Sequence, residues 1–286
     1  MKYAFIRKHS NVFGVRMMCR LLSTSPSAYY AFAKHVPSQR QRERAALTAQ
    51  IKMAFDAEKS RAGAPRIAAV LRAQGIAVGR KRVARIMREN SWRAKAARKF
   101  KATTNSDHRL PVAPNLLAQN FDAERPDQKY VSDITYIGAD EGWLYLAVVM
   151  DLYSRMIVGW SMSERMTSTL VCDALRMAMW KRKHPAGVIV HSDRGSQYCS
   201  HEYQNLLREN VLVCSMSKRG DCYDNAAMES WNHSLKVEAV HGERFATRAD
   251  ARAHVFEYIE VYYNRQRRHS KLGYLSPMAF ELKRVA

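Results

Sequence analysis

Three carboxylates stand out for where they fall. Asp133 lies inside the strand-like run "YVSDITYI", Asp193 ends the apolar run "GVIVHSD", and Glu229 belongs to "DNAAMESWNHSLKVE". There are 59 residues between the aspartates and 35 between Asp193 and Glu229. An acid within a strand, flanked by Val131, Ile134 and Ile137, is costly to bury unless it is paired or metal-bound. Three hard oxygen ligands brought from two strands and a helix suit Mg²⁺, with phosphate oxygens completing the shell. Carboxylates alone cannot neutralise a phosphodiester. A pair of divalent ions can, by clamping the attacking and leaving oxygens of an in-line displacement. On its own, Glu229 reads first as part of a solvated helix face.

The elements that must position these acids follow from periodicity. Residues 129–163 hold three β-rich runs separated by "ADEG" and "YSR", a meander carrying Asp133 in its first strand. Residues 167–183 form an amphipathic helix capped by Thr167. Residues 187–193 read as a buried strand ending at Asp193, a place where sites collect in open α/β sheets. A helix over "SHEYQNLLREN" and a strand over 211–216 follow. The next helix, capped by Asp224 or Asn225, sets Glu229, Asn232, His233 and Lys236 along one face and Met228, Trp231 and Leu235 along another. The order β-β-β-α-β-α-β-α predicts a mixed α/β sheet, antiparallel first and parallel after. Asp151 reads as a turn cap before a fourth ligand, and His191 and His233 as hydrogen-bonding neighbours of the acids. Ser192 and Ser196 have no His/Asp arrangement that would make a triad.

Charge divides the chain. Its 47 Lys and Arg against 26 Asp and Glu give a net of +21, and residues 1–112 alone hold 25 against 5. A basic segment joined to a near-neutral remainder implies a polyanion-binding module, with nucleic acid the first candidate because phosphate neutralisation releases counterions. That basic part reads as helices. Residues 15–35 break at Ser23–Pro26 in a helix-turn-helix outline. A second helix-turn-helix is expected over 45–90, its last helix burying Val83, Ile86 and Met87 and presenting Arg80, Lys81, Arg82, Arg85 and Arg88 to DNA. Pro111, Pro114 and Pro126 mark a linker. "NRQRRH" (264–269) reads equally as a further DNA-backbone contact through Arg267 and Arg268 or as a solvated helix end. Tyr262, Tyr263 and Tyr274 read as packing. Five cysteines without a C-x-x-C pair suit a reducing cytoplasm, and no apolar run reaches 18 residues, so no membrane span is expected.

Taken together, "VSDITYI", "HSDRGSQY" and "DNAAMESWNHSLKVE", with Lys236 seven residues after Glu229, resemble the DDE motif of retroviral-integrase-like recombinases. "GWLYLAVVMDLYSRMIVGWSMS", "RGDCYDNAAMESW" and "EYIEVYYNRQRRHSKLGYLSP" resemble more narrowly the downstream-frame transposases of the insertion sequence three family. The similarity runs over almost the whole chain. It departs at Tyr130, where the family usually has Trp, and at "SRAGAPR", two residues shorter than the family's segment. The resemblance implies an α/β catalytic core, a ribonuclease H-like mixed five-stranded sheet with flanking helices, preceded by all-α helix-turn-helix segments. The expected divisions are 1–40, 41–100, a linker over 101–125, a core over 126–240 and a helical extension over 241–286. It implies cleavage and strand transfer at insertion-sequence ends, dependence on Mg²⁺ or Mn²⁺, two ions held by Asp133, Asp193 and Glu229, and Lys236 against the bound DNA end. Implied partners are terminal-repeat and target DNA, an upstream-frame helix-turn-helix protein or frameshift fusion, and further copies of the chain on DNA. A metal-dependent nuclease of the same fold and a catalytically silent DNA-binding protein are the alternatives.

Overall fold

Helices come first, and the residues that break them set their ends. The computed structural model describes residues 2–34, 37–95, 111–218 and 222–285. It divides into two units, Met1–Ala57 and Glu58–Ala286. In the first, α1 (Lys2–His9), α2 (Val15–Leu21) and α3 (Pro26–Ala33) close around Ile6, Met18, Cys19 and Tyr29. Ser25 caps α3, its Oγ accepting from the Ala28 N–H, and Pro26 opens the helix where a missing N–H costs nothing. The predicted break at Ser23–Pro26 is therefore the α2–α3 turn. In α4 (Gln39–Ala57), Leu47, Ile51, Ala54 and Phe55 form a buried stripe at helical spacing.

The second unit begins with α5 (Ala64–Ala73) packed on α6 (Arg80–Glu89). Gly75, just past α5, takes a φ of 82°, a conformation open to a residue without Cβ. The boundary between the units, after Ala57, falls within the stretch 41–100 read as one module.

A five-stranded sheet follows, in the order β3-β2-β1-β4-β5. The strands are β1 (Lys129–Ala139), β2 (Gly142–Asp151), β3 (Ile157–Ser163), β4 (Ile189–Ser192) and β5 (Val213–Met216). β1 and β2 form an antiparallel hairpin in register from Tyr130↔Asp151 to Ala139↔Gly142, and β3 pairs antiparallel with β2. β4 joins β1 in parallel and β5 joins β4 in parallel. This is the mixed sheet predicted from the order of elements.

The central strands alternate between two apolar layers, as the period of two requires. Leu144, Leu146, Val148 and Met150 of β2 point to one layer, Ala147 and Val149 to the other. α7 (Ser168–Lys181) and α8 (His201–Glu209) supply the second layer. The first is filled by Met228, Trp231 and Leu235 of α9 (Ala226–Leu235), by α10 (Arg248–Phe256) and by its π-helical continuation Glu257–Tyr263. Gly159 lets β3 meet α7 closely, since a Cβ there would stand 2.1 Å from the Ala174 carbonyl oxygen. The last helix, α11 (Pro277–Val285), is tied down by Glu281, which accepts two hydrogen bonds from Arg182 and one from Ser154.

Two expected caps need correction. Thr167 and Asn225 occupy the N-cap positions of α7 and α9, but neither side chain makes a capping hydrogen bond. Asp224 faces backwards instead, accepting from the Lys218 N–H and from Asn115 Nδ2, both at 2.8 Å. It fastens the loop that leads into α9. Asp151 is fully buried and accepts from the N–H groups of Asp127 and Tyr153, as a turn cap does.

Candidate active site

β1, the residue just past β4, and α9 carry the three acids. Asp133 stands in mid-β1 opposite Val148 of β2 and is half-buried. Its Oδ1 accepts from the Ile134 N–H at 2.9 Å, and its Oδ2 accepts from Asn232 Nδ2 at 2.8 Å. Asp193 directly follows β4, and its Oδ1 accepts from the Gly195 N–H at 2.9 Å. A Cβ on Gly195 would lie 3.0 Å from that same oxygen, so the "DRG" turn wants glycine for a tight approach to the carboxylate. Glu229 projects from the first turn of α9 and is exposed.

Electrostatics link the three. The Asp133 carboxyl is pushed up to about 7, first by burial and next by the charge of Asp193, with a smaller contribution from Glu229. Glu229 is also raised by partial burial. A carboxyl so raised marks a place short of positive charge. Asn232 adds a second sign, because its Oδ1 is buried and has no hydrogen-bond partner among the described residues, while its Nδ2 holds Asp133. Oxygen donors of carboxylate and amide type around an orphaned acceptor fit a hard divalent cation and its waters. The acids are not drawn together, however. Among the described residues, no three His, Cys, Asp or Glu side chains stand close enough to hold an ion jointly.

The surroundings fix the strand ends and the start of α9. His191 is buried between two hydroxyls, Nδ1 at 2.9 Å from Ser215 Oγ and Nε2 at 3.1 Å from Ser217 Oγ, and burial holds it down at about 4. It is a neutral strut between β4 and β5. Arg194 Nε donates to the Ser217 carbonyl at 2.6 Å. His233 is exposed. Lys236, which the resemblance sets against the bound DNA end, lies with Nζ 4.7 Å from the centre of the Tyr136 ring, and burial brings its amine down to about 8.

On α6, Arg80, Lys81, Arg82, Arg85 and Arg88 are all exposed, opposite the buried Val83, Ile86 and Met87. The tail differs from its sequence reading. Arg267 turns inward, donating from Nε and Nη2 to Glu238 at 2.8 and 2.9 Å, because a buried carboxylate needs a paired cation. Arg268 is half-buried and donates to the Tyr274 carbonyl. Sequence reasoning assigned no role to Glu238, Arg61 or Arg66. Arg66 Nη2 donates to Glu238 at 2.9 Å and Arg61 Nε donates to the Glu238 carbonyl at 3.1 Å. A lone acid in an otherwise apolar helical run was the available signal. Asn232 was placed on the right face, and its spacing three residues from Glu229 could have suggested a partner for Asp133.

A mixed five-stranded sheet flanked by helices, with acids on β1, just after β4 and on α9, has the make-up of an integrase-type core. Family models agree. Residues 123–222 match an integrase core domain, 229–285 a second integrase core model, and 41–100 an HTH-like domain. The chain is 52% identical over the full length of both proteins to transposase InsF for insertion sequence IS3A of Escherichia coli strain K12. It is 48% identical to the insertion element IS600 uncharacterized 31 kDa protein of Shigella sonnei, over 93% of this chain and 98% of that one. Among solved structures, the HTLV-2 integrase catalytic core domain in complex with magnesium aligns with a TM-score of 0.41 at 13% identity, over 56% of this chain and 99% of that one. The protein belongs to the IS3 family of transposases. Among the described residues no helix is long and apolar enough to cross a membrane.

Proposed function

We propose that this chain cleaves the ends of its insertion sequence and joins them to target DNA by metal-dependent phosphoryl transfer, with Asp133, Asp193 and Glu229 as the catalytic acids. The observation that carries the reading is the raised Asp133 carboxyl. It is held half-buried by Asn232 and loaded by the charge of Asp193 and then of Glu229, an arrangement with no structural benefit unless cations arrive. Asp133 and Asp193 on the rigid sheet, with Glu229 on α9, would hold two Mg²⁺ or Mn²⁺ ions. When bound, such ions neutralise the phosphodiester and favour its in-line displacement.

The protein's own residues do the rest. The Gly195 N–H and Asn232 Nδ2 orient the two aspartate carboxylates, so that little ordering is left to pay when DNA binds. Asn232 Oδ1 is free to accept from water in the site. Glu229 on the exposed side of α9 can close on the pair by a small helix adjustment. Lys236, beside Tyr136, offers a cation close to the same face of α9 for the bound DNA end. The exposed basic face of α6 supplies phosphate contacts. An upstream-frame helix-turn-helix product and further copies of this chain are the proposed partners on DNA.

Incubating the purified chain with a labelled terminal-repeat end, target plasmid and Mn²⁺ tests the reading. Joined products support it. Cut products alone would favour a nuclease, and bound but unaltered DNA a silent binding protein.

A further inference from the structure

The opposite side of α9 borders a cavity of about 720 Å³ that the acids do not touch. Its walls come from the start of α5, the β2–β3 turn, the Ala226, Ala227, Ser230, Trp231 and Ser234 face of α9, and residues 263–274. Among the described residues, five Lys and Arg side chains line it and no Asp or Glu does. Two of the five are already engaged by Glu238, namely Arg66 and Arg267, and Lys271 pairs with Asp122. The remaining charge is therefore carried by Arg155 and Arg268.

Three of the residues that line this cavity carry a polar group without a hydrogen-bond partner among the described residues. Trp231 is only 2% exposed, yet its indole Nε1–H has no acceptor. Arg66 Nη1 is likewise buried without an acceptor. Arg155 is half-buried, with no hydrogen bond or ion pair among the described residues, and burial holds its guanidinium below the usual arginine range against the weaker pull of Tyr263 and Asp122. Orphaned donors beside a desolvated cation cost stability, and one anionic acceptor would satisfy them together once a small side-chain shift brings Trp231 Nε1 and Arg66 Nη1, now shut off from solvent, to the cavity wall. Phe121 and Tyr274, both half-buried at the same cavity, supply flat apolar surface. Donors and cations beside aromatic rings match a phosphate linked to a planar base, and the volume lies in the range of small-ligand sites.

We infer that this cavity is a nucleotide-binding site, separate from the catalytic acids, in which Arg155, Arg66 and Trp231 take the phosphate and Phe121 and Tyr274 the base. The nucleotide comes either from an unpaired position of bound DNA or from solution. The inference shares with the proposed function only the nucleic-acid nature of the ligand.

The probe is 2-aminopurine deoxyriboside 5′-monophosphate, titrated into the full chain and followed by its own fluorescence, which stacking quenches. Quenching with saturation is expected, and it should persist in Asp133→Asn, so loss of catalysis and loss of this site are distinguishable. Arg155→Gln should weaken binding by about tenfold or more, as removal of a charge-assisted contact does, while Arg155→Lys keeps most of it. Trp231→Phe, which keeps a ring and loses the N–H, should weaken it several-fold. Each variant is first checked for an unchanged melting transition. Competition by a single-stranded oligonucleotide identifies a DNA nucleotide as the ligand, and binding that the oligonucleotide leaves intact identifies a free nucleotide. Absence of quenching, equal competition by inorganic phosphate alone, or full binding in folded Arg155→Gln and Trp231→Phe would overturn the inference.

Discussion

Replacing Glu238 by Ala should cost this protein a large part of its stability, although the residue lies outside the catalytic acids. Its carboxylate is 5% exposed and accepts from Arg267 Nε at 2.8 Å, Arg267 Nη2 at 2.9 Å, Arg66 Nη2 at 2.9 Å and Tyr258 Oη at 3.0 Å. Removing it leaves Arg267, itself only 12% exposed, without a counter-charge. Truncating one member of a buried pair costs about 3–5 kcal/mol. For a unit of this size that corresponds to a fall in melting temperature of ~6–20 °C. The five tryptophans, Trp92, Trp143, Trp160, Trp180 and Trp231, all lie in the second unit, so their fluorescence during urea unfolding reports that unit alone. Substituting Glu238 and Arg267 together by Met should cost less than Glu238→Ala, because the more deeply buried of its two cations is no longer stranded and only the more exposed Arg66 loses its partner. The pH dependence gives an independent check. Burial raises the Glu238 carboxyl, but hydrogen bonds and charge from Arg267 and Arg66 more than offset this and hold it below the usual range. Its stabilisation is therefore complete above the unfolded value of about 4.3 and is lost as pH falls through the lowered folded value. The deficit of the variant should shrink in acid over that window. A loss below about 1 kcal/mol, the scale of a surface pair, would refute the cluster as a structural clamp.

Gly159→Ala should destabilise the second unit by about 1–3 kcal/mol, because its new Cβ would meet the Ala174 carbonyl oxygen at 2.1 Å; chemical denaturation measures this. Arg85→Gln on the exposed face of α6 should weaken DNA binding at low salt and reduce the slope of log affinity against log salt by about 0.9, read by titration across salt concentrations. Burial lowers the Lys236 amine to about 8, so the folded state releases its proton before the unfolded chain does at about 10.4. Stability relative to Lys236→Met should therefore rise with pH between those values, as paired unfolding curves would show.

The sheet was legible because its strands carry period-two apolar patterns and its turns carry "ADEG" and "YSR", so hairpin and crossover order followed directly. Asp133 and Asp193 were legible for the same reason: an acid within or at the end of an apolar strand is conspicuous. Glu229 was singled out through the family resemblance, and its exposure shows how little burial alone would have said. What escaped was long-range pairing. Asn232 holds Asp133 across 99 positions, and Arg66 meets Glu238 across 172. No local propensity encodes either contact. Arg267 was misread on the same ground, since a basic run looks alike whether it meets phosphate or a buried glutamate. The caps at Thr167 and Asn225 failed because an N-cap position names a residue type, while the hydrogen bond depends on a rotamer chosen by packing.

The central claim is that the charge of three carboxylates, and not merely their shape, carries the chemistry. Asp133→Asn, Asp193→Asn and Glu229→Gln keep shape and remove charge. The direct measurement is joining of a labelled terminal-repeat end to target DNA in Mn²⁺ by each variant, with binding to the same end measured in parallel. The account predicts that each substitution abolishes joined products while DNA affinity stays close to that of the unaltered chain. Substantial joining by any one of the three would contradict it.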